Sequence, residues 1–480
     1  MSLKKIVKEM GVIGASKILM RISSIILIPV LTKNLGAYGY GLWSQAFVTI
    51  SLAVMVLTLG TPLSIGRLFP GKGLEEVGKD LSSLLAMIIT LVGTFTVILY
   101  FFPETLANAV FDGNTLIVKI VSVIIFVSCL QKIFLAVFQA FREMKKLATI
   151  NVITSYCEVG LAVILVLLGY GIVEAILSIL IVRGSVSSVL YIIILRKVAM
   201  FKPNMLSLRK HLSLGVPVTP GAISHLIVDM SDRYVIGFFL GATFVGYYAP
   251  AYAFGMMVPL LMASVLATVL LPSLAEYYEK DNMHMVKKVL NLSTKYFLLI
   301  SIPSFVGIII VGKPILLLFT TEDIAQNGYI ILILSGFAGI LLGLYDICKN
   351  TVFLKKKTIL ITIFWVIGAG VNLLGNIVFV PREGIVAAGI TTIVSYLLVT
   401  ILVFNFARKN INFGLDFLPL AKIIFSSVSM GCILYIIKIQ VWSNFIFLII
   451  LGLAIYLTTM YFIKGVDESE IDFLKGLHKG

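Results

Sequence analysis

For 42 consecutive positions, from Tyr234 to Ala275, this chain carries no charged side chain. As one straight helix that stretch would measure about 63 Å, twice the roughly 30 Å hydrocarbon thickness of a bilayer, so it must turn back, and Gly241 and Gly246 mark the turn. Charge is scarce throughout: charged residues make up 13% of the 480 and hydrophobic ones 59%, against about 25% and about 45–50% in soluble domains. That excludes a soluble globular enzyme and leaves an all-α polytopic membrane protein. Cysteine is scarce too. Cys129, Cys157, Cys348 and Cys432 all fall in apolar stretches without paired spacing, which excludes a zinc ribbon or dithiol motif and leaves small packing residues. No phosphate-binding loop, H-E-x-x-H, C-x-x-C or G-x-S-x-G occurs, so the chain is not equipped to hydrolyse ATP. The sequence calls for no metal, no cofactor and no catalytic residue, and an enzyme reading is weak.

What is present is positive charge, unevenly placed. The net charge is +15, and counting apolar segments gives about fourteen membrane helices. With the amino terminus inside, 27 Lys and Arg fall in cytoplasmic segments, 4 in outer loops (Lys33, Lys313, Arg382, Lys438) and 7 in helices. This asymmetry is the positive-inside pattern: it sets orientation, adds an attraction to anionic lipid head groups, and argues against nucleic acid as partner. It predicts a multi-pass protein of the plasma membrane with both termini cytoplasmic. Lys4, Lys5 and Lys8 precede an apolar run that reaches Leu31 with no small-residue cleavage site, which reads as an uncleaved first helix.

The chain also repeats itself. Leu35-Gly36-Ala37, Gly41, Trp43, Ala46 and Phe47 return as Leu240-Gly241-Ala242, Gly246, Tyr248, Ala251 and Tyr252, always 205 residues later. Two related halves follow: a first bundle over 1–200, a second over 201–410, and an appended helix pair with a cytoplasmic tail over 411–480. The basic stretch 196–212 is the boundary between halves, and 67–80, charged and broken by Pro and Gly, is a cytoplasmic loop.

Within the helices the ionisable residues need a reason to be there, since each costs roughly 2.5–3.5 kcal/mol on an insertion scale. Lys17 and Arg21 share a stripe with Gly14 and Ser24 on the first helix, which points to protein or water, with snorkelling as the alternative for Lys17. Lys119, Lys132, Arg183, Arg233 and Lys349 complete the basic set; Glu158, Glu174, Asp229, Asp232 and Asp346 are the acids. Glu158 is neutral, paired or an ion site, and a salt bridge of the Glu158 or Glu174 helix to Arg183 is one reading. Asp229 and Asp232 share a face, Asp229 stands four residues before Arg233, and Asp346 three before Lys349. These acids are candidates for ion coupling or for salt bridges. Gly368, Asn372 and Asn376 share a face that either packs or lines a cavity. Such a two-half bundle with buried charge has the outline of a secondary transporter.

Residues Arg21 through Pro29, Thr32, Leu35-Gly36, Gly41-Leu42-Trp43-Ser44, Asp232-Arg233-Tyr234, Leu240-Gly241, Gly246, Tyr248 and Leu271-Pro272-Ser273-Leu274-Ala275 resemble a known group. So do Asn376 through Pro381, Gly384 and Ala387-Ala388-Gly389. The group is the polysaccharide transporter branch, that of O-antigen and oligosaccharide flippases, within the multidrug/oligosaccharidyl-lipid/polysaccharide flippase superfamily. The resemblance implies two related helix bundles of the multidrug-exporter kind. It implies flipping of a polyprenyl-diphosphate-linked oligosaccharide to the outer leaflet by alternating access, a cationic cavity reached by Arg21 and Asp232-Arg233, and coupling to an ion gradient, H+ or Na+. Glycan-assembly proteins and membrane lipids would be its partners. Lys17, Arg21, Lys132, Arg183, Arg233 and Lys349 are the candidate substrate-binding residues, and Glu158, Asp229, Asp232 and Asp346 the candidate coupling or salt-bridge residues. Seven bases against five acids in the helices favour an anionic cargo. A multidrug exporter of the same superfamily and a membrane-embedded glycan polymerase or ligase are the competing readings.

The orientation is directly testable. A cysteine placed at Asn204 should react with an impermeant maleimide in inside-out vesicles and stay unlabelled in intact cells; labelling from outside would invert the topology.

Overall fold

The computed structural model describes residues 3–414, 416–437 and 445–465, so Lys438 and the tail beyond 465 lie outside the described residues. Twelve of its helices among the described residues are long and apolar enough to cross a membrane. The first, α1 (Leu3–Leu57), is interrupted at Gly36, where φ is 67° and ψ −172°. Its 55 residues would otherwise extend about 82 Å, so α1 contributes two crossings. A further apolar helix at the end of the chain, α16 (Phe445–Phe462), brings the crossings to the fourteen read from sequence.

The order after α1 is a short α2 (Thr61–Leu68), then α3 (Leu74–Phe101), a short α4 (Glu104–Val110), α5 (Thr115–Ala140), α6 (Met144–Leu167) and α7 (Ile172–Leu195). The basic stretch after α7, which lies within the first compact unit described below, carries α8 (Met205–Gly215). Next come α9 (Thr219–Leu240), α10 (Ala242–Glu279), α11 (Met283–Phe319), α12 (Glu322–Leu354), α13 (Ile359–Glu383), α14 (Ile385–Ile411) and α15 (Phe417–Ile437). The chain forms two compact units: residues 1–250, 319–323 and 359–395 in one, and 251–318, 324–358 and 396–480 in the other. The core of the first is a continuous apolar cluster that includes Leu42, Ile50, Leu81, Ile88, Val121 and Ile125.

The repeat has a three-dimensional counterpart. Gly36 and Gly241, 205 residues apart, hold the same bend, φ 67° with ψ −172° and φ 89° with ψ 170°. This region of the map is essentially closed to residues with a Cβ. Immediately after each bend the two copies meet. A Cβ on Gly41 would lie 1.8 Å from the Ala242 carbonyl oxygen, and one on Gly246 would lie 1.8 Å from that of Ala37. Ala37 and Gly41, like Ala242 and Gly246, are a small-x-x-x-small pair, the spacing that lets two helix backbones touch.

At the far end of the second limb of α1 the linker is anchored by polar contacts that charge counting does not reveal. Only 69–73 is non-helical between α2 and α3, so the stretch read as a loop over 67–80 is mostly helix. Asp80 receives Lys72 Nζ at 2.5 Å and the Ser207 hydroxyl of α8, with His211 Nε2 at 3.3 Å, an ion-pair distance off hydrogen-bonding geometry. His211, fully buried, contacts the Ser64 hydroxyl through Nδ1 at 2.8 Å and sets its ring edge-on to Phe69. Gly60 and Gly215 touch backbone to backbone beside this hub. Glu143, between α5 and α6, takes Lys197 at 2.5 Å and Lys146 at 3.1 Å. Partial burial raises its pKa, but the two ammonium partners outweigh that and hold the carboxyl below its ordinary range.

The glycine contact predicts a sharp positional contrast. Gly41→Ala and Gly246→Ala should each lower the melting temperature in detergent, by an overpacking cost of about 1–3 kcal/mol. Gly160→Ala, with nothing within 4 Å of the added carbon, should leave it unchanged or slightly raised.

Candidate functional site: a cavity with basic groups in an apolar wall

Inside the first unit lies a cavity of about 530 Å³, between the second limb of α1, α5, α7 and α9. Phe47, Val54 and Met55 give it an apolar wall, and Leu226 faces them from α9. Into this wall α5 and α7 project Ser128, Gln131, Lys132 and Arg183. The first three recur at intervals of three and one, so a single face of α5 presents them.

Arg183 is held on several sides. Its Nε donates to Glu158 Oε1 at 2.8 Å, one terminal nitrogen to Glu158 Oε2 at 3.4 Å, and the other to the Ser128 hydroxyl at 2.9 Å. The Arg183 and Glu158 side chains are 17% and 15% exposed, so water screens the pair only in part. Glu174 does not join it; its carboxylate accepts the Gly171 N–H at 3.0 Å and caps α7. Lys132 makes no ion pair among the described residues and is exposed at the cavity.

The second basic centre is on α9. Asp232, fully buried, accepts hydrogen bonds from the Tyr248 hydroxyl, the Arg233 backbone N–H at 2.8 Å and the Arg233 guanidinium at 3.1 Å. The same guanidinium donates to the Asp229 backbone carbonyl at 2.7 Å and lies 5.9 Å from the Tyr248 ring centre. Immediately before Asp232, Ser231 donates to Asn372 at 3.1 Å, and Asn372 and Asn376 of α13 bond to each other and to Thr392 and Thr391 of α14. Both asparagines are fully buried, so the polar face of α13 packs and does not line open space. The His225 ring centre lies 4.3 Å from that of Trp365, with the two planes inclined at 59°.

Other expected residues fall elsewhere. Lys17 and Arg21 are exposed on the first limb of α1, beside Ser24, while the neighbouring Ser23 is buried against Ser155 of α6 at 2.7 Å. Lys119 lies 5.6 Å from the Tyr100 ring. In the second unit, Lys349 is hydrogen-bonded to Asp346 one turn earlier and lies 5.4 Å from the Tyr345 ring.

The sequence from residue 6 to 278 matches the family of polysaccharide biosynthesis proteins. The chain belongs to that family. Residues 242–462 also match the lipid II flippase MurJ family. Among its relatives, the probable low-salt glycan biosynthesis flippase Agl15 of Haloferax volcanii is 21% identical over 272 residues, 56% of this chain and 57% of the relative. The match thus spans a little over half the length of that protein. The fold agrees over nearly the whole chain with a structure of the lipid II flippase MurJ in an inward closed conformation, at a TM-score of 0.82, 20% identity, and coverage of 94% of this chain and 98% of the other. An inward-facing multidrug transporter of the MATE family superimposes with a TM-score of 0.65 at 17% identity, covering 82% and 94%.

Three residues escaped the sequence reading. Ser128 and Gln131 look like ordinary helix-packing polar groups, and only their spacing from Lys132 could have marked them. Tyr248 was visible as the repeat counterpart of Trp43, but its bond to Asp232, sixteen residues back, depends on the bend at Gly241.

The Arg183–Glu158 pair sets a measurable expectation. A double-mutant cycle on Arg183→Ala and Glu158→Ala should give a coupling energy of about 1–3 kcal/mol, between the values of exposed and buried pairs. A coupling indistinguishable from zero would mean the two side chains act separately.

Proposed function

We propose that this multi-pass membrane protein flips a polyprenyl-diphosphate-linked oligosaccharide from the cytoplasmic to the outer leaflet by alternating access, in the service of cell-surface glycan assembly. Family membership and the flippases named among its relatives support this reading. The single observation that carries it is how the buried charges pair. Glu158 is taken by Arg183, Asp232 by Arg233, Asp346 by Lys349, and Glu174 by a helix end. Against the five acids of the helices, Asp229 included, stand seven bases, and Lys132 makes no ion pair among the described residues. The surplus a cargo meets is therefore basic. That suits a diphosphate, which is multiply anionic and has to cross roughly 30 Å of hydrocarbon, and it disfavours the amphipathic cations of a drug exporter.

In this reading residues 1–200 and 201–410 are the two moving bundles and 411–480 an appended pair. Lys17, Arg21, Lys132, Arg183, Arg233 and Lys349 engage the head group along its path. Arginine suits the task because its planar fork donates two parallel bonds to phosphate oxygens and keeps its charge when desolvated. Arg183 and Arg233 already hold a carboxylate, so a phosphate would exchange for Glu158 or Asp232. That exchange gives the acids a role in coupling, with H+ or Na+ bound to the released carboxylate. The protein sits in the plasma membrane with both termini cytoplasmic, performs no covalent chemistry and needs no cofactor.

Two substitutions test the assignment. In proteoliposomes loaded with a fluorescent lipid-linked oligosaccharide, Arg21→Ala should reduce flipping at least tenfold at wild-type protein level, and Arg21→Lys should restore part of it. Asp229→Asn and Asp232→Asn should blunt the dependence on an imposed ion gradient. Wild-type flipping by Arg21→Ala would overturn the head-group role, and unchanged gradient dependence in both asparagine variants would overturn the coupling role. Glycan units joined by the purified protein in detergent would establish the polymerase or ligase reading instead.

A further inference from the structure

A second cavity of the first unit has no part in that scheme. It is an open groove of about 760 Å³ along one face of α3, bordered by Met87, Leu91, Thr94 and Ile98, with Asn204 and Met205 at its mouth. The α3 positions recur every three or four residues, so the groove follows the helix axis. From Ser83 to Ile98 it runs about 22 Å, more than the roughly 15 Å of hydrocarbon in one leaflet. The hydroxyls along it are occupied near the mouth: Ser83 donates to the Lys79 carbonyl at 2.8 Å and Thr90 to that of Ala86 at 2.9 Å. The body of a guest here is an alkyl chain.

The mouth has a different character. Two bonds tie the linker across it, from the Phe201 N–H to Ser82 Oγ at 2.9 Å and from the Asn204 N–H to Ser83 Oγ at 2.8 Å. The side chains the linker brings are basic and exposed. Lys202 adjoins Pro203, and Arg209, one turn beyond Met205 on the same face of α8, is followed by Lys210. Lys79 stands one turn before Ser83; its partner Glu75, 2.7 Å away, leaves bases in the majority. A basic rim above an apolar channel complements one kind of molecule: a negative head on a long chain.

We propose that this groove binds an anionic phospholipid of the surrounding leaflet, one acyl chain lying along α3 and the phosphate between Lys202 and Arg209. The lipid then bridges α3 and the linker, so the anionic content of that leaflet helps set how firmly α8 is held down.

A tryptophan placed at Leu91, 39% exposed, reports occupancy. In phosphatidylcholine vesicles containing one-fifth brominated phosphatidylglycerol, its fluorescence, corrected for the parent chain, should be quenched at least threefold more than by brominated phosphatidylcholine at the same fraction. Lys202→Gln with Arg209→Gln should remove that preference while leaving the melting temperature in lipid-free detergent unchanged, since both side chains are exposed. Lys422→Gln, on α15 of the second unit, should keep it. Equal quenching by the two lipids would mean ordinary annular contact and overturn the proposal. Displacement of the brominated lipid by a polyprenyl phosphate but not by unlabelled phosphatidylglycerol would overturn it as well, assigning the groove to the carrier's tail.

Discussion

Helices in a bilayer gain nothing by hiding apolar side chains from lipid, so what holds two of them together is closeness. In this chain one such close approach is between Ala37 and Gly41 on one side and Ala242 and Gly246 on the other, where a single added carbon would lie 1.8 Å from a carbonyl oxygen. The arrangement depends on the bends at Gly36 and Gly241, which start each downstream helix at the correct rotation. Other features follow from it. The second limb of α1 is brought alongside α9, Tyr234 donates to Thr49 at 2.6 Å, and Tyr248 is delivered to Asp232. The cavity that carries Lys132 opens further along the same limb.

Ionic groups are treated in two ways. Some are neutralised locally, Arg183 by Glu158 on the adjacent helix, Lys349 by Asp346 one turn away and Arg233 by Asp232 beside it, because an isolated charge in this medium is costly. Elsewhere a cation meets a ring face, as Lys119 does at Tyr100. Pairs of the first kind give rigidity. The Arg183–Glu158 pair also borders a cavity, where the guanidinium bonds the Ser128 hydroxyl as well as the carboxylate.

Legibility in the sequence followed distance along the chain. Span number, the repeat and the turn at Gly241 were readable, because glycine spacing and apolar run length are local signals, whereas Gly246, read as part of the same turn, lies inside α10. The Lys349–Asp346 contact was readable too, since helix geometry dictates it at three residues. The Asp80 hub was not: its partners Ser207 and His211 lie 127 and 131 positions away in the linker, and the stretch containing Asp80 read as an exposed charged loop. Nothing in the local pattern distinguishes a carboxylate that faces water from one covered by a helix arriving from elsewhere. Ser128 was hidden for the same reason, being 55 residues from Arg183. The buried Asn372–Asn376 network was ambiguous at the sequence level because amides that pack and amides that line a channel share the same periodicity.

The glycine contact also maps onto itself when the two halves are exchanged: what Gly41 meets is the counterpart of what Gly246 meets. That is the geometry of an isologous interface, the kind that closes a twofold homodimer. A half-length chain carrying this motif once could therefore pair with its own copy through the same atoms, and fusing two copies would preserve the joint. Fusion then frees the halves to diverge wherever the joint is not involved. Asp232 and Arg233 stand opposite Leu27 and Ile28 in the repeat register, so the charged centre on α9 belongs to one half alone. A symmetric dimer would have had to carry two such centres or none; a single chain can keep one.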